Sequence, residues 1–401
     1  MRRRTKLAIL STLAGVATAA SSALAASPAI GRWNITIDTP RGPKPCWLEV
    51  EQKGGKFEGR FLHVAGSVHP IGEVKVDGNT IAFSAGEKKW KGKIDGDKIT
   101  GESVDKEGTK GKWVGKRSVS KVDLNGVWVF HAPNDDLFAD KIAMEITHED
   151  DELEGELEGL ERTASDLELE GDDFLFYIDP GFDSGESGRG IKVKVKGDKM
   201  VGTVMGMDGT EAKFSAKRER KWGKPIELFN GKNLEGWKPH GSDNFQWKAI
   251  DGVMENLGGG GAANIVTEKK FRDFKLHVEF KVPKDGNSGI YLRGRHEIQV
   301  SDNHGKDPSD QSCGSLYSRI KPATNASKPA GEWQTYDITL VGSYVTVVHN
   351  GRTVIDNAFM EGITGGAMDS EEDKPGPIYI QGDHGKISYR KFTITPAESG
   401  K

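Results

Sequence analysis

Short alternating runs of apolar and polar residues occupy most of the chain. Turn pairs such as Asp77-Gly78, Asp95-Gly96 and Asn350-Gly351 separate runs that are rich in Val, Ile, Phe, Trp and Tyr. Alternation with a period of two is typical of half-buried strands, and the glycine pairs favour tight hairpins. No long apolar stripe with a period near 3.6 residues follows the N-terminal segment. The pattern therefore predicts an all-β protein whose strands are joined by tight turns.

An internal repeat of about 90 to 100 residues divides the first half of the chain. Gly31-Arg-Trp33 corresponds to Gly126-Val-Trp128, and the closing run Lys112-Trp-Val-Gly-Lys-Arg117 corresponds to Lys213-Phe-Ser-Ala-Lys-Arg218. We expect two small antiparallel β domains, at residues 26–120 and 121–220. A meander favours closure into a barrel because closure removes exposed strand edges. The Gly-x-Trp opening is similar to the start of lipocalin-like barrels, and a small open sandwich is the alternative.

A third unit begins after a polar hinge at residues 219–224. From Pro225 to about residue 396 the strands are separated by longer loops, and one hairpin passes through Asn350-Gly351. This arrangement favours a two-sheet jelly roll of the concanavalin A-like type. We therefore expect three domains after the N-terminal segment.

The first 25 residues have the pattern of a secretory signal peptide. Met-Arg-Arg-Arg is followed by an apolar stretch from Leu7 to Ala20 and by the small-residue cleavage site Ala23-Leu-Ala25. We expect cleavage near Ala25 and a secreted or periplasmic protein. Later segments lack the roughly 18 apolar residues that a membrane helix needs, so we expect no membrane insertion.

Composition narrows the class of partner. The 401 residues include 56 Lys and Arg against 60 Asp and Glu, for a net charge of −4, and basic residues do not interleave with aromatics in runs. A nucleic-acid partner is therefore not expected. The two cysteines, Cys46 and Cys313, fall in different expected domains. An oxidising compartment would permit a disulfide between them, although large β domains do not need one. The oligomeric state stays open.

One segment of the third unit carries a polar face suited to a ligand. The pattern predicts a single strand from Gly289 to Val300, entered through Asn287-Ser288. Alternate residues of a strand face opposite ways, so its apolar residues share one side. The other side carries Tyr291, Arg293, Arg295, Glu297 and Gln299. Planar hydrogen-bonding groups, an aromatic ring and a carboxylate on one face suit a polyhydroxylated ligand, so we expect a carbohydrate partner.

Six ordered segments of this unit resemble the 3-keto-disaccharide hydrolase family. They are Leu228-Phe-Asn-Gly-Lys-Asn-Leu-Glu-Gly-Trp237, Asn287-Ser-Gly-Ile-Tyr-Leu-Arg-Gly294, Glu297-Ile-Gln-Val300, Gly331-Glu-Trp-Gln-Thr-Tyr336, His349-Asn-Gly351 and Gly376-Pro-Ile-Tyr-Ile-Gln381. The resemblance covers about residues 225–396. It implies a concanavalin A-like jelly roll that cleaves oxidised glycosides with a ketone at carbon 3. That ketone acidifies the hydrogen on carbon 2, so the chemistry needs one base and an enolate stabiliser.

Within the chemistry that the resemblance implies, three residues are candidates for catalysis. Glu297 is the candidate base or a clamp on a sugar hydroxyl, and a surface ion pair with Arg295 is the alternative. Arg293 is a candidate enolate stabiliser, or it forms a salt bridge to a neighbouring loop. His384 is a candidate proton carrier near neutral pH, or it caps a turn. The candidates for substrate binding are Tyr291, Gln299, Tyr317, Trp333 and Gln381.

A divalent cation is the one cofactor that the sequence leaves open. Asp302 and Asp307 are candidate ligands in a loop rich in Asp and Asn, but their spacing does not fit a 12-residue calcium loop. A cation elsewhere in the unit could help to polarise the ketone.

Two functions from different classes fit these features, and a third reading is an envelope structural protein, which predicts a convex third domain without a pocket. We expect a secreted glycoside hydrolase or lyase acting on 3-keto-glycosides, with the two N-terminal domains as binding or spacing modules. The alternative is a non-catalytic, lectin-like carbohydrate-binding protein of the cell envelope. A carboxylate or histidine that is buried in the groove with a perturbed pKa would favour the enzyme. The sequence does not define the sugar or the linkage.

Overall fold

The computed structural model describes residues 27–40, 42–118, 122, 124–134, 141–149, 152–157, 164–178, 189–206, 209–372 and 374–398. Every regular element in those ranges is a β-strand, so the predicted all-β class is confirmed. No helix among the described residues is long and apolar enough to cross a membrane. The predicted signal peptide lies outside the described residues.

The first nine strands form one antiparallel sheet, which we call the first rolled sheet. They are β1 (Gly31–Thr39), β2 (Gly42–Lys53), β3 (Lys56–Leu62), β4 (Val68–Glu73), β5 (Lys75–Asp77), β6 (Thr80–Ala85), β7 (Lys88–Asp95), β8 (Lys98–Val104) and β9 (Lys110–Arg117). Strand β1 pairs with both β2 and β9, which leaves β4 and β5 as the two edges. These edges follow one another in the chain, so the sheet is nearly closed and barrel-like.

The next eight strands repeat this arrangement as the second rolled sheet. They are β10 (Gly126–His131), β11 (Ile142–Glu149), β12 (Glu152–Leu157), β13 (Ala164–Glu170), β14 (Asp173–Ile178), β15 (Arg189–Lys196), β16 (Lys199–Gly206) and β17 (Glu211–Arg218). The first strand, β10, pairs with β11 and with the last strand, β17, and the edges are β12 and β13. The finer comparison with lipocalin barrels stays a prediction.

Corresponding tryptophans make the same contacts in the two rolled sheets. The Nε1 of Trp33 donates to the carbonyl of Ala29 at 3.0 Å, and the Nε1 of Trp128 donates to the carbonyl of Leu124 at 2.7 Å. Each indole ring also lies under an arginine of the closing strand, at 4.3 Å in the first sheet and 4.5 Å in the second. These matching contacts agree with the internal repeat expected from the sequence, which stays a prediction.

The remaining strands form a two-sheet sandwich. They are β18 (Ile226–Glu227), β19 (Trp237–His240), β20 (Trp247–Ile250), β21 (Val253–Asn256), β22 (Asn264–Thr267), β23 (Phe274–Lys281), β24 (Asn287–Leu292), β25 (His296–Ser301), β26 (Gln334–Val341), β27 (Tyr344–His349), β28 (Arg352–Phe359), β29 (Tyr379–Ile380) and β30 (Ile387–Pro396). One sheet has the order β20-β21-β30-β23-β26-β27-β28, with β18 beside β30, and the five-stranded sheet has the order β19-β22-β29-β24-β25. Apolar residues from both sheets form one core, so each sheet keeps an outer face.

The two cysteines are free and lie in separate hydrophobic cores. Cys46 is buried in the first rolled sheet, and Cys313 is buried in the sandwich, where its sulfur lies 3.0 Å from the hydroxyl of Tyr336. The disulfide that the sequence left open is therefore not formed in this structure.

The rolled sheets contact different parts of the sandwich. From the first sheet, the Nε1 of Trp47 donates to the carbonyl of Ile363 at 3.0 Å. The second sheet is contacted by Tyr344 and Asn357, which donate to the carbonyls of Val195 and Lys196. Tyr344 and Asn357 belong to β27 and β28 of the larger sheet.

Candidate functional site

The candidate site lies on a hairpin of the five-stranded sheet rather than on one long strand. The prediction of a single strand from Gly289 to Val300 is wrong, because the chain reverses at residues 293–295 between β24 and β25. Arg293 and Gly294 both have positive φ, at 54° and 71°, as a tight reversal requires. Cross-strand partners share a face, so Tyr291 lies directly opposite Glu297.

The hairpin presents its apolar and polar residues to opposite sides of the sheet. Ile290 and Ile298 are paired and buried in the sandwich core. Tyr291, Glu297 and Gln299 alternate with these core residues and therefore lie on the outer face. The alternation of the sequence thus places these three side chains together even though a turn interrupts the strand.

The carboxyl group of Glu297 is buried on this outer face, on the edge strand β25. Glu297 is 4% exposed, and its Oε2 lies 2.9 Å from the hydroxyl of Tyr291. The ring of Tyr291 stacks on that of Tyr379, with centroids 4.3 Å apart and planes 13° from parallel. A Cβ on Gly289 would lie 2.1 Å from the Oε1 of Glu297, so this position must be glycine for the carboxyl group to occupy its place.

Burial raises the pKa of Glu297 from 4.5 to about 8. The hydrogen bond from Tyr291 and the charge of His384 oppose that rise, while the charge of Asp383 adds to it. Burial raises the pKa of Tyr291 and Tyr379 as well, so both phenols remain protonated at neutral pH. At neutral pH the Glu297 side chain is therefore protonated in most molecules.

The hydrogen bonds around Tyr291 agree with a protonated Glu297. The Tyr291 hydroxyl lies 2.7 Å from the carbonyl oxygen of Gly365 and 2.9 Å from the Glu297 carboxyl oxygen. A phenol has one hydrogen to donate, so it cannot donate to both oxygens at once. If Tyr291 donates to Gly365, a protonated Glu297 donates to Tyr291 and both contacts become hydrogen bonds.

His384 lies at the more open side of the site, on the segment after β29. Its Nδ1 is 2.7 Å from the Oδ1 of Asp383, and its side chain is 46% exposed. The hydrogen bond to Asp383 raises the pKa of His384 above 6.5. The imidazole of His384 and the buried carboxyl group of Glu297 act on each other electrostatically, and the imidazole is partly exposed to solvent.

Two glutamine side chains offer free acceptors beside the hairpin. The Nε2 of Gln299 donates to Asn287 at 2.9 Å, and the backbone of Gln381 donates to the Gly289 carbonyl at 2.9 Å. The side-chain oxygens of Gln299 and Gln381 are buried and have no hydrogen-bond partner among the described residues. Buried acceptors in this state are suited to the hydroxyl groups of a ligand.

Tyr317 shares the outer face with Glu297. Its backbone nitrogen donates to the Glu297 carbonyl at 3.0 Å, while the adjacent Leu316 pairs with Ile298 and is buried in the core. The Tyr317 side chain therefore lies on the opposite side from Leu316. Its hydroxyl is 3.4 Å from the hydroxyl of Ser67, which belongs to the first rolled sheet unit.

The structure does not bring Arg293 to the Glu297 carboxyl group. Arg293 lies in the turn, where its guanidinium donates to the Asp273 carboxylate at 2.8 Å and to the Arg272 carbonyl at 2.5 Å. Arg295 is also engaged elsewhere, because its Nε donates to Asp369 at 2.5 Å. One continuous strand would place both arginines on the same face as Glu297. Because the chain turns at residues 293–295, neither arginine lies on that face.

Trp333 and the aspartates of the metal hypothesis also lie apart from Glu297. The ring of Trp333 is under Arg390 at 4.0 Å and Lys281 at 5.1 Å, both on strands of the larger sheet. Within the described ranges, no three His, Cys, Asp or Glu side chains are grouped so that they could hold a metal ion. Asp302 and Asp307 therefore form no such group there.

Some residues of the site were not found from the sequence. Tyr379 lies inside the motif Gly376-Pro-Ile-Tyr-Ile-Gln381, so its motif membership was a usable signal. Asp383 directly precedes the candidate His384, and its negative charge was a sign that it could act on that histidine. Thr364, which accepts the Glu297 backbone N–H at 2.9 Å, lies in a loop with no periodicity and gave no signal.

Fold and site together define an all-β sandwich unit with a buried, proton-holding carboxyl group on the outer face of one sheet. Residues 224–395 match the model of the family described as the 3-keto-alpha-glucoside-1,2-lyase-like domain. The 3-keto-disaccharide hydrolase of Bacteroides thetaiotaomicron is 32% identical over 33% of this chain, and the match spans 57% of that relative's length. The predicted family resemblance is therefore confirmed for this C-terminal segment.

Solved structures similar to this chain include two from Parabacteroides distasonis, each described as a candidate glycosyl hydrolase. One is 29% identical, covers 43% of this chain and 89% of its own, and has a TM-score of 0.38. The other is 23% identical, covers 43% of this chain and 94% of its own, and has a TM-score of 0.35.

Proposed function

We propose that the C-terminal unit cleaves the glycosidic bond of 3-keto-glycosides by elimination followed by hydration. The observation that carries this proposal is the Glu297 carboxyl group, which is buried against Tyr291 with its pKa raised to about 8. A carboxylate with raised basicity is a better proton acceptor than an exposed one, and a base is what a 3-keto-glycoside needs. At pH 7 about a tenth of such a group is ionised.

The first step in this mechanism removes the proton on carbon 2. The Glu297 carboxylate takes that proton, the C2–H electron pair becomes a C2=C3 double bond, and the ketone oxygen becomes an enolate. A nearby positive charge lowers the energy of this anion. We assign that role to His384, because its hydrogen bond to Asp383 favours the cationic imidazolium.

The second step breaks the bond to the leaving group, and the third adds water. The enolate electrons restore the C3 ketone while a C1=C2 double bond forms, and the C1–O bond breaks with the leaving oxygen taking a proton from His384. Water then adds its hydroxyl group to C1, its proton returns to His384, and Glu297 gives its proton back to C2. Each residue ends in its starting state, so the sequence of steps is balanced.

The free acceptors at the site supply a reason for carbohydrate binding. The side-chain oxygens of Gln299 and Gln381 are buried without a hydrogen-bond partner among the described residues, and sugar hydroxyls are donors that could satisfy them. Tyr317 lies on the same outer face and offers a ring to the apolar side of a sugar. These contacts would also suit a lectin, but a lectin has no use for a buried acid that costs stability.

The compartment proposed for this activity is outside the cytoplasm. The proposal rests on the N-terminal Arg-rich segment, the apolar stretch to Ala20 and the cleavage site ending at Ala25. Both cysteines being buried and free agrees with either side of a membrane, so the leader sequence alone supports export.

The activity is tested with a 3-keto-glucoside that carries a chromogenic leaving group. We expect release of that group by the wild-type protein, slower release from the substrate deuterated at carbon 2, and a loss of about 100-fold or more in Glu297→Gln. Glu332→Gln is the matched control, because Glu332 is exposed and outside the site.

Two results would contradict the proposal. Equal rates for the protonated and deuterated substrates, with chemistry limiting, would exclude proton removal from carbon 2. Full activity of a folded Glu297→Gln variant would exclude Glu297 as the base. Tight binding of the 3-keto-glucoside without release would favour the lectin alternative.

A further inference from the structure

A loop that covers the outer face around Glu297 also contacts the first rolled sheet. We call this loop, residues 360–372, the strap. On the site side, its Thr364 hydroxyl accepts the Glu297 backbone N–H at 2.9 Å, and its Gly365 carbonyl oxygen is 2.7 Å from the Tyr291 hydroxyl. The strap nitrogen of Met368 also donates to the carbonyl of Gly294 in the hairpin turn. The strap therefore fixes both partners of the Tyr291–Glu297 pair.

The opposite side of the strap is packed against the first rolled sheet. Trp47, Leu62, Ile363 and Ala367 are all buried and form one small apolar cluster. The Nε1 of Trp47 donates to the Ile363 carbonyl at 3.0 Å. Trp47 alternates in β2 with residues of the sheet's own core, so it is an outward-facing side chain whose burial comes from the strap.

Backbone contacts bring the two surfaces closer than side chains alone would. The Gly366 nitrogen donates to the Val64 carbonyl at 2.9 Å. A Cβ on Gly365 would lie 2.2 Å from the carbonyl oxygen of Gly66. Glycines at these positions allow the backbones of the strap and of the first sheet's loop to touch directly.

Charged groups surround this apolar cluster. Arg32 of the first sheet pairs with Glu372 of the strap at 2.9 Å, and Arg60 pairs with Glu361 at 3.0 Å. The guanidinium of Arg319 lies 4.4 Å from the Trp47 ring centroid. Beside the strap, Ser67 lies 3.4 Å from the Tyr317 hydroxyl and accepts a hydrogen bond from Gln311 at 2.9 Å.

We infer that the first rolled sheet is a fixed wall of the active site, and that Trp47 is a positioning residue that holds the strap over Tyr291 and Glu297. This inference rests on the proposed function of the same site. The sequence led us to expect that both N-terminal domains are binding or spacing modules. The inference replaces that expectation for the first rolled sheet and leaves it in place for the second. The second rolled sheet contacts β27 and β28 of the other sheet through Tyr344 and Asn357.

The chemical consequence is that the proton affinity of Glu297 depends on Trp47. Burial is the main cause of the raised pKa of Glu297, and loosening the strap would admit water to the carboxyl group. Loss of the Gly365 carbonyl as an acceptor would also free the Tyr291 hydroxyl to donate to the Glu297 carboxylate. Both changes favour the ionised form, so the Glu297 pKa falls.

The test compares Trp47→Ala and Trp47→Phe with Tyr344→Ala in the full chain. Tyr344→Ala is the matched control, because it removes an aromatic residue from the contact of the second rolled sheet. The protonation of Glu297 is measured by the infrared carboxylic C=O band that is absent in Glu297→Gln. In parallel, kcat/KM for a 3-keto-glucoside is measured against pH.

We expect Trp47→Ala to move the Glu297 titration toward acid by about one pH unit or more. Because the loosened strap no longer positions the carboxylate, we also expect the maximum of the kcat/KM profile against pH to fall by about tenfold or more. Trp47→Phe keeps a ring in the cluster and should shift the Glu297 titration by a smaller amount. This variant decides the test if Trp47→Ala does not fold. Tyr344→Ala should leave both quantities unchanged.

An unchanged titration and an unchanged kcat/KM in the folded Trp47 variants would overturn the inference and make Trp47 a contact for stability alone. An equal shift in Tyr344→Ala would overturn it too, because the effect would then be general. The infrared titration does not require turnover. If the wild-type protein releases no leaving group, the proposed function fails while the inference about Trp47 is still decided.

Discussion

Replacing the buried acid by its neutral amide should stabilise the protein while it removes activity. In Glu297→Gln the side chain keeps its shape, and its amide can still contact the Tyr291 hydroxyl 2.9 Å away. The wild-type carboxyl group is ionised in the unfolded chain at neutral pH but mostly protonated in the folded one, because burial raises its pKa to about 8. Folding must then take up a proton, and this costs free energy that the amide does not incur.

The magnitude follows from the two pKa values. With 4.5 in the unfolded chain and about 8 in the folded protein, the cost is about 3 kcal/mol at pH 7 and about 1 kcal/mol at pH 5. A raised folded-state pKa contributes stability that is complete below the unfolded value and is lost as the pH rises through the folded value. The advantage of Glu297→Gln over wild type should therefore grow by about 2 kcal/mol between these two pH values.

Calorimetric unfolding of both proteins at pH 5 and pH 7 measures this growth. Glu332→Gln provides the control, since an exposed carboxyl group has nearly the same environment in both states. An equal difference between wild type and Glu297→Gln at the two pH values would show that Glu297 is ionised in the folded protein. That result would remove the physical basis for a base of raised proton affinity.

Three further outcomes are expected from the same geometry. The kcat/KM of the wild-type protein should follow a bell-shaped pH profile, because the proposed reaction needs Glu297 ionised and His384 protonated; a profile without the limb that rises with pH would contradict the role of Glu297 as the base. Gly289→Ala should lower activity by about tenfold or more, since its Cβ would lie 2.1 Å from the Glu297 carboxyl oxygen, whereas Gly190→Ala, where no atom lies within 4 Å, should not. Tyr291→Phe should move the rising limb of the pH profile further toward alkali, because the Tyr291 hydroxyl donates to Glu297 once that group is ionised and so lowers its pKa; an acid shift would show that the hydroxyl acts otherwise.

The sequence predicted the class of fold and the face of the site because both depend on local alternation. Every second residue of β7 is buried, and the same period places Tyr291, Glu297 and Gln299 opposite the core residues of the hairpin. The assignment of Arg293 relied on the same period continued through residues 293–295. Gly294 was the available sign of a turn, and its effect on the two flanking arginines was missed.

Other features of the site depend on contacts between segments that are distant in the sequence. The alternation of apolar and polar residues within one strand does not predict such contacts. The strap lies more than 60 residues after Glu297 in the chain and contacts it through Thr364. The pKa of Glu297 follows from burial, which the strap and the first rolled sheet complete together. The sequence shows which residues flank Glu297, but it does not show what covers the face on which its side chain lies.

Gly289 is a position where local strand geometry and contacts with another segment both matter. Its φ is not in the left-handed region, so the backbone alone does not require glycine there. The requirement comes from the facing strand, where the Glu297 carboxyl group occupies the volume that a side chain would take. That carboxyl group is held by Tyr291 from beside it and by the strap from above, while His384 lies at the side that is open to solvent. We therefore expect a ligand to approach Glu297 from the His384 side, where the imidazolium form that Asp383 favours would face the proposed enolate.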